Sequence, residues 1–172
     1  MARGVLLAAR QVGKTTALAV RIVHHLLFHP GAKVLVVSGT EIQAGQVIAK
    51  VREFLRLLGH DFSKLQGRAW DLTIKSLGAE LRALPCREAA MRGYTATLVI
   101  LDEAALIPDS VFHALLGTLG STWDIAQLWL ASTPRQPSGF FHDFVIHQRD
   151  GFRYLTITAE ESGRLTPEFI EL

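Results

Sequence analysis

Val5-Leu6-Leu7-Ala8-Ala9-Arg10-Gln11-Val12-Gly13-Lys14-Thr15-Thr16 decides the reading of this chain. Val5–Ala8 is an apolar run of strand length, and the periodic run Thr15–Phe28, ended by Pro30-Gly31, is a helix. Between them lies a loop that carries Gly13, Lys14 and Thr15. A loop that binds phosphate at such a junction needs three things. It needs a glycine where the backbone approaches the nucleotide, a lysine that reaches the β- and γ-phosphates, and a hydroxyl that holds Mg²⁺. Gly13, Lys14 and Thr15 supply them. Gln11, Val12 and Thr16 are expected to complete the cradle, and the helix N-terminus adds free N–H groups and its dipole. The usual spacing G-x-x-x-x-G-K-[ST] has Ala8 in place of its first glycine.

The same alternation continues along the chain. Lys33–Ser38 is a continuous β-branched run, the mark of a strand covered on both faces. Glu41–Leu58 carries Ile42, Val47, Val51, Leu55 and Leu58 at helical spacing, with Gly59 as its stop. Two weaker strands are expected at Trp70–Ile74 and Glu80–Leu84. A buried strand follows at Leu98–Leu101, then a helix near Asp109–Leu116, a strand at Gln127–Ala131, a short helix at Gly139–His147 and a last strand at Phe152–Thr158. Strands alternating with helices predict one α/β domain over residues 1–172, built on a mostly parallel sheet with helices on both faces.

Leu98-Val99-Ile100-Leu101-Asp102-Glu103 is the second half of the site. The apolar strand delivers Asp102 to its carboxyl end, where ligands sit in open α/β sheets. Asp102 is expected to orient the Mg²⁺ shell, and Glu103 to polarise the attacking water as general base. The structural alternative is a solvated helix cap ahead of Pro108. Together with the lysine loop, the acidic pair implies a nucleoside-triphosphate hydrolase. Ser132-Thr133-Pro134, at the end of another strand, can sense the γ-phosphate through its hydroxyls; an ordinary Ser/Thr turn accounts for it equally well.

Composition narrows the class. The chain has 172 residues, 49% hydrophobic and 20% charged, which fits one globular domain and argues against disorder. A net charge of +2 is too small to identify a nucleic-acid binder by itself, although basic residues can gather on one face. The single cysteine, Cys86, excludes an intramolecular disulfide framework, suits a reducing cytoplasm and is expected to be a buried thiol. Arg21, His24 and His25 interrupt the longest apolar helix, so no membrane span is expected.

These segments resemble terminase large subunits, the motors that pump double-stranded DNA into viral capsids. In that family the phosphate loop commonly runs from a small residue into Arg-Gln-x-Gly-Lys-Ser/Thr, as Ala9–Thr15 does, with the first glycine relaxed. Ser38-Gly39-Thr40-Glu41-Ile42-Gln43-Ala44 is similar to the segment after the family's second strand. Leu84-Pro85, Arg92–Ala96 and Leu98–Ala105 with Ile107-Pro108 resemble the run into its acidic motif. Leu130–Arg135 with Gly139-Phe140-Phe141 resembles its coupling motif, and Leu165-Thr166-Pro167-Glu168 the exit from its motor domain. The resemblance implies a RecA-like (ASCE) P-loop NTPase fold and an ATPase with ATP and Mg²⁺ as cofactors. It assigns nucleotide binding to Gln11–Thr16, Ser132 and Thr133, metal binding to Thr15 and Asp102, and catalysis to Lys14, Glu103 and Arg10. Arg10 corresponds to the arginine assigned to transition-state charge, in its own subunit or a neighbour's, and Ser132 and Thr133 to coupling of hydrolysis with DNA movement. The implied partners are double-stranded DNA, a portal protein, a small terminase subunit and further copies in a ring, at the procapsid in the host cytoplasm. The family's upstream adenine-holding segment and its RNase H-like nuclease domain are not expected within these residues, and no DNA cleavage is expected.

Two other readings use the same residues. A helicase-like DNA-dependent ATPase shares the lysine loop and acidic pair but needs a second RecA-like domain. A catalytically inactive prophage remnant would keep only the fold. His24, His25 and His29 are read as packing or exposed residues, since no acid lies between them to serve a metal site. Trp70, Trp123 and Trp129 are read as core or near-core. Arg52 and Arg56 suit either DNA phosphates or a solvated helical face.

Overall fold

The computed structural model describes residues 3–59, 65–66 and 69–163; the Leu165–Glu168 stretch lies outside them. The strands are β1 (Arg3–Ala8), β2 (Lys33–Ser38), β3 (Leu65–Gln66), β4 (Asp71–Ile74), β5 (Ala79–Leu84), β6 (Leu98–Asp102), β7 (Gln127–Ser132) and β8 (Arg153–Ile157). The α-helices are α1 (Lys14–Phe28), α2 (Glu41–Leu57), α3 (Asp109–Leu116) and α4 (Phe140–His147). Every element expected from periodicity is present, with ends shifted by a residue or two.

Among the described residues the strands form one sheet in the order β3-β4-β5-β2-β6-β7-β1-β8. From β5 to β8 every neighbouring pair is parallel, whereas β3 and β4 run antiparallel at one edge. The fold is therefore the mostly parallel α/β sheet that the sequence predicts. All five residues of β6 are buried, as a central strand covered on both faces requires. Its side chains alternate between two cores. Val99 and Leu101 join α3 and α4 on one face, while Leu98 and Ile100 join α1 and α2 on the other.

Each helix forms for local reasons and is held by burial. α1 buries Leu18, Ala19, Ile22, Val23 and Leu26 and ends at His29, just before Pro30 and Gly31 at φ 75°. Thr40 caps α2 by accepting the Gln43 N–H at 3.3 Å. α2 buries Ala44, Val47, Ile48, Val51 and Leu55, the larger of them contributing about 1.5–3 kcal/mol each. Gly59 ends it at φ 76°.

Two expectations about packing need correction. Trp70 and Trp123 are 42% and 44% exposed, not core residues. Trp70 lies along α2 where Gly45 leaves room, since a Cβ there would come within 2.8 Å of its ring. Trp123 carries the Arg3 guanidinium 3.8 Å from its ring centroid. Trp129 is half-buried, packed against the α1/α2 core. Cys86 is also only half-buried, and burial raises its thiol pKa.

Candidate functional site

Register brings the site together. β2, β6, β7 and β1 are parallel, so their carboxyl ends share one rim of the sheet, with Ser38 paired to Asp102, Asp102 to Ala131 and Leu7 to Ser132. The chain leaves β1 at this rim through Ala9–Gly13 and enters α1. Gln11 at φ 62° and Gly13 at φ 95° bend the loop so that α1 starts at Lys14. Glycine meets the second requirement without strain. Gln11 is a non-glycine residue in the left-handed region, a conformation that tightly specified loops impose.

Lys14 is only 8% exposed, and its ammonium donates to the carbonyls of Ala8 at 3.3 Å and Ala9 at 2.9 Å. Burial lowers its pKa, Glu103 and Asp102 oppose that shift, and Arg10 adds to it. Thr15 Oγ1 donates to Asp102 Oδ2 at 3.4 Å across 87 residues of sequence. Asp102 is 4% exposed, and its other oxygen accepts the Glu103 N–H at 3.1 Å. Burial, and then the neighbouring Glu103, raise the Asp102 pKa to about 6 against the pull of that N–H, Lys14 and Thr15. A carboxylate so poorly compensated is suited to a cation.

Glu103 stands just beyond the strand at φ 51°, ψ 47°, a left-handed conformation that glutamate rarely adopts. One of its oxygens gathers three donors: Ser132 Oγ at 3.3 Å, Thr133 N at 3.4 Å and Thr133 Oγ1 at 3.1 Å. Ser132 Oγ also accepts the Ala105 N–H at 3.2 Å. The Ser132-Thr133 turn is thus joined directly to the acidic pair.

A cavity of about 430 Å³ opens over this rim, lined by Arg10, Gln11, Gly13, Lys14, Thr15, Thr16, Gln43, Glu103, Thr133 and Arg135. Most of the residues singled out from the sequence meet here. Val12 is not among the lining residues, while Asp102 and Ser132 lie behind it, in contact with Thr15 and Glu103. Gln43 and Arg135 were not singled out as site residues. Their sequence signal is position, each a few residues beyond a strand that ends at this rim and within a segment that carries the family resemblance. The arrangement can surround an anion with a cation, hydroxyls and backbone N–H groups, and it sets two carboxylates beside that anion.

Among the described residues no group of three or more His, Cys, Asp or Glu side chains could hold a metal. His25 is 2% exposed and its Nε2 bonds Thr97 Oγ1 at 2.9 Å, while its ring stacks on His29 at 4.3 Å. No helix among the described residues is long and apolar enough to cross a membrane.

Comparison with known proteins identifies the family and the fold. The family described as "Terminase large subunit, T4likevirus-type, N-terminal" matches residues 5–171. The large terminase subunit of Thermus virus P23-45 is 29% identical over 169 residues, covering 88% of this chain and 35% of that protein. This chain therefore spans about a third of the length of that relative. Among solved structures, the ATPase domain of the Thermus phage P74-26 large terminase superposes with a TM-score of 0.81 at 26% identity, covering 98% of this chain and 79% of that one. The large terminase of another thermophilic bacteriophage, in complex with ATP-gamma-S, shares the fold at a TM-score of 0.76 and 18% identity, over 98% of this chain and 42% of that one.

Proposed function

From the premise that the chain belongs to the T4-like-virus type of terminase large subunits, as part of their N-terminal region, we propose that it is the ATPase motor part of a DNA-packaging terminase. The observation that carries this reading is the meeting of Thr15 with Asp102, and of Lys14 with Glu103 and Thr133, around one cavity at the carboxyl rim. Relatives solved with ADP and with ATP-gamma-S support a nucleotide as its occupant.

In this mechanism Lys14 exchanges the carbonyls of Ala8 and Ala9 for β- and γ-phosphate oxygens. The free N–H groups from Gln11 to Thr16 surround the same phosphates. Thr15 and Asp102 would hold Mg²⁺: a hydroxyl bonded to a buried carboxylate is a hard oxygen donor pair that suits such an ion. When bound, the ion would supply positive charge against the phosphates. Glu103 accepts the proton of the attacking water, after its carboxylate exchanges at least one bond to Ser132 or Thr133 for that water. Arg10, exposed at the cavity mouth, meets the charge that develops on the transferred phosphoryl group, in its own subunit or in a neighbour's. Ser132 and Thr133, bonded to Glu103, pass the change at the nucleotide to β7 and the segments beyond it.

The same reading assigns double-stranded DNA as the cargo. It assigns a portal protein, a small terminase subunit and a ring of further copies as partners, working at the procapsid in the host cytoplasm. The test is steady-state ATP hydrolysis with Mg²⁺, with and without duplex DNA, using Glu103→Gln as the blank. Turnover that disappears in the variant and rises with blunt duplex supports the motor reading. A folded chain that turns over no faster than the blank would refute it.

A further inference from the structure

Gln43 is the third residue of α2 and follows the cap Thr40 by three positions, so Thr40-Glu41-Ile42-Gln43 has the form of a capping box. In a capping box the glutamine carbonyl reaches back to the N–H of the cap residue. Here it does not. Gln43 Oε1 instead accepts from Thr40 Oγ1 at 3.1 Å and from Ser38 Oγ at 3.3 Å. Thr40 Oγ1 already accepts the Gln43 N–H, so its proton is free to point at Oε1. With both hydroxyls on the oxygen, the amide is held in one orientation.

That orientation has a consequence at the rim. Ser38 is the last residue of β2, 1% exposed and paired in register with Asp102. The clamp therefore holds the Gln43 amide above the strand end beside the acidic pair, where Gln43 lines the same cavity as Lys14, Thr15 and Glu103. Among the described residues no group accepts from its Nε2. A two-proton donor with a fixed direction and no acceptor, in a cavity otherwise built for phosphate, is matched to a phosphoryl oxygen.

We propose that Gln43 recognises the terminal phosphate of the bound nucleotide, its Nε2 group donating to a γ-phosphate oxygen while Ser38 and Thr40 hold its carbonyl. This deepens the ATPase reading and rests on it. Gln43 then separates triphosphate from diphosphate, and loss of the γ-phosphate removes a partner from the first turn of α2.

The test is titration of the whole chain, with Mg²⁺, by ATP-gamma-S and separately by ADP, for wild type, Gln43→Ala and Gln43→Glu. Thermal unfolding without nucleotide checks that each variant is folded. A hydrogen bond to a charged oxygen predicts about tenfold weaker ATP-gamma-S binding in Gln43→Ala. The loss is larger in Gln43→Glu, which sets a carboxylate against the phosphate, and ADP binding stays within about twofold in both. Should Gln43→Ala not fold, the near-isosteric Gln43→Glu carries the same comparison. Equal loss of both nucleotides, or no loss of either, would overturn the role of Gln43 and leave the ATPase reading standing. Failure of the wild type to bind either nucleotide would overturn both.

Discussion

The two ends of one set of strands carry polar groups of opposite character. At the carboxyl rim, the ionisable groups Lys14, Asp102 and Glu103 are crowded together at one site. Lys14 rests on two loop carbonyls, the Asp102 pKa is pushed up to about 6, and Glu103 sits in a left-handed conformation. At the amino rim, Thr97 lies just ahead of β6 and satisfies its neighbours. Its hydroxyl donates to Lys33 O at 3.3 Å, accepts Lys33 N–H at 3.0 Å and meets His25 Nε2 at 2.9 Å. Nearby, Thr122 Oγ1 donates to Ala96 O at 2.5 Å, and Arg21 donates to Gln127. The same sheet thus ends in a cluster of ionisable groups on one side and, on the other, in a hydrogen-bond network that joins strand ends but leaves His25 Nδ1 and Arg21 Nε without partners among the described residues. Ionisable groups gathered at one rim are what a site for a charged ligand would show; the network at the other holds strands in register.

Mutations at the two rims should therefore separate activity from stability. The largest effect is expected from Arg10→Ala, which should slow ATP turnover about 10³–10⁵-fold with little change in the unfolding midpoint, because Arg10 is exposed. Near-normal hydrolysis by this variant would remove Arg10 from the mechanism. Glu103→Gln should lower turnover about 10²–10⁴-fold and keep nucleotide binding; a loss of binding instead would mean that Glu103 shapes the pocket more than the chemistry.

At the amino rim the effects should appear in stability. The Thr97 proton goes to Lys33 O, which leaves His25 Nε2 as a donor and its Nδ1 without a partner. Burial, and then His29, Arg21 and His24, lower the His25 pKa from 6.5 to about 4. The unfolded chain then binds a proton between those values that the folded chain does not. The stabilisation is complete above pH 6.5 and fades as pH falls toward 4. Between pH 7 and pH 5 His25 should cost about 2 kcal/mol. Urea unfolding at the two pH values should show that loss in the wild type and a flatter response in His25→Leu; equal slopes would show that His25 is not the titrating group. The smallest effect is Thr97→Val, about 1 kcal/mol, because Lys33 is exposed and its backbone can turn to water, which leaves buried His25 Nε2 as the one partner stranded. Its turnover per folded molecule should match the wild type, and a large loss there would break the division between the two rims.

Local chemistry was enough for much of this. The β-branched run Lys33–Ser38, the apolar spacing in Glu41–Leu58 and the stop at Gly59 each specify an element through period and backbone freedom, which need no distant partner. Gly13-Lys14-Thr15 and Asp102-Glu103 were legible for the same reason, since each motif meets a chemical demand within a few residues. Trp70 and Trp123 were misread because an aromatic ring signals packing on one face and says nothing of the other. One lies along α2 at Gly45 and the other beneath Arg3, and each leaves a face open to solvent.

The sequence by itself determined the alternation of strands and helices, the loop that bends to start α1 and the acids that end β6, because period, glycine and charge act locally. Only the tertiary structure decided which strand ends share a rim. The order β2-β6-β7-β1 sets Ser38, Asp102 and Ser132 side by side although long stretches of chain separate them. That order also gives Glu103 its three donors and brings Gln43 and Arg135 to the cavity. Strand order and register depend on how helices on both faces cover the whole sheet, a balance of burial that no short stretch of sequence contains.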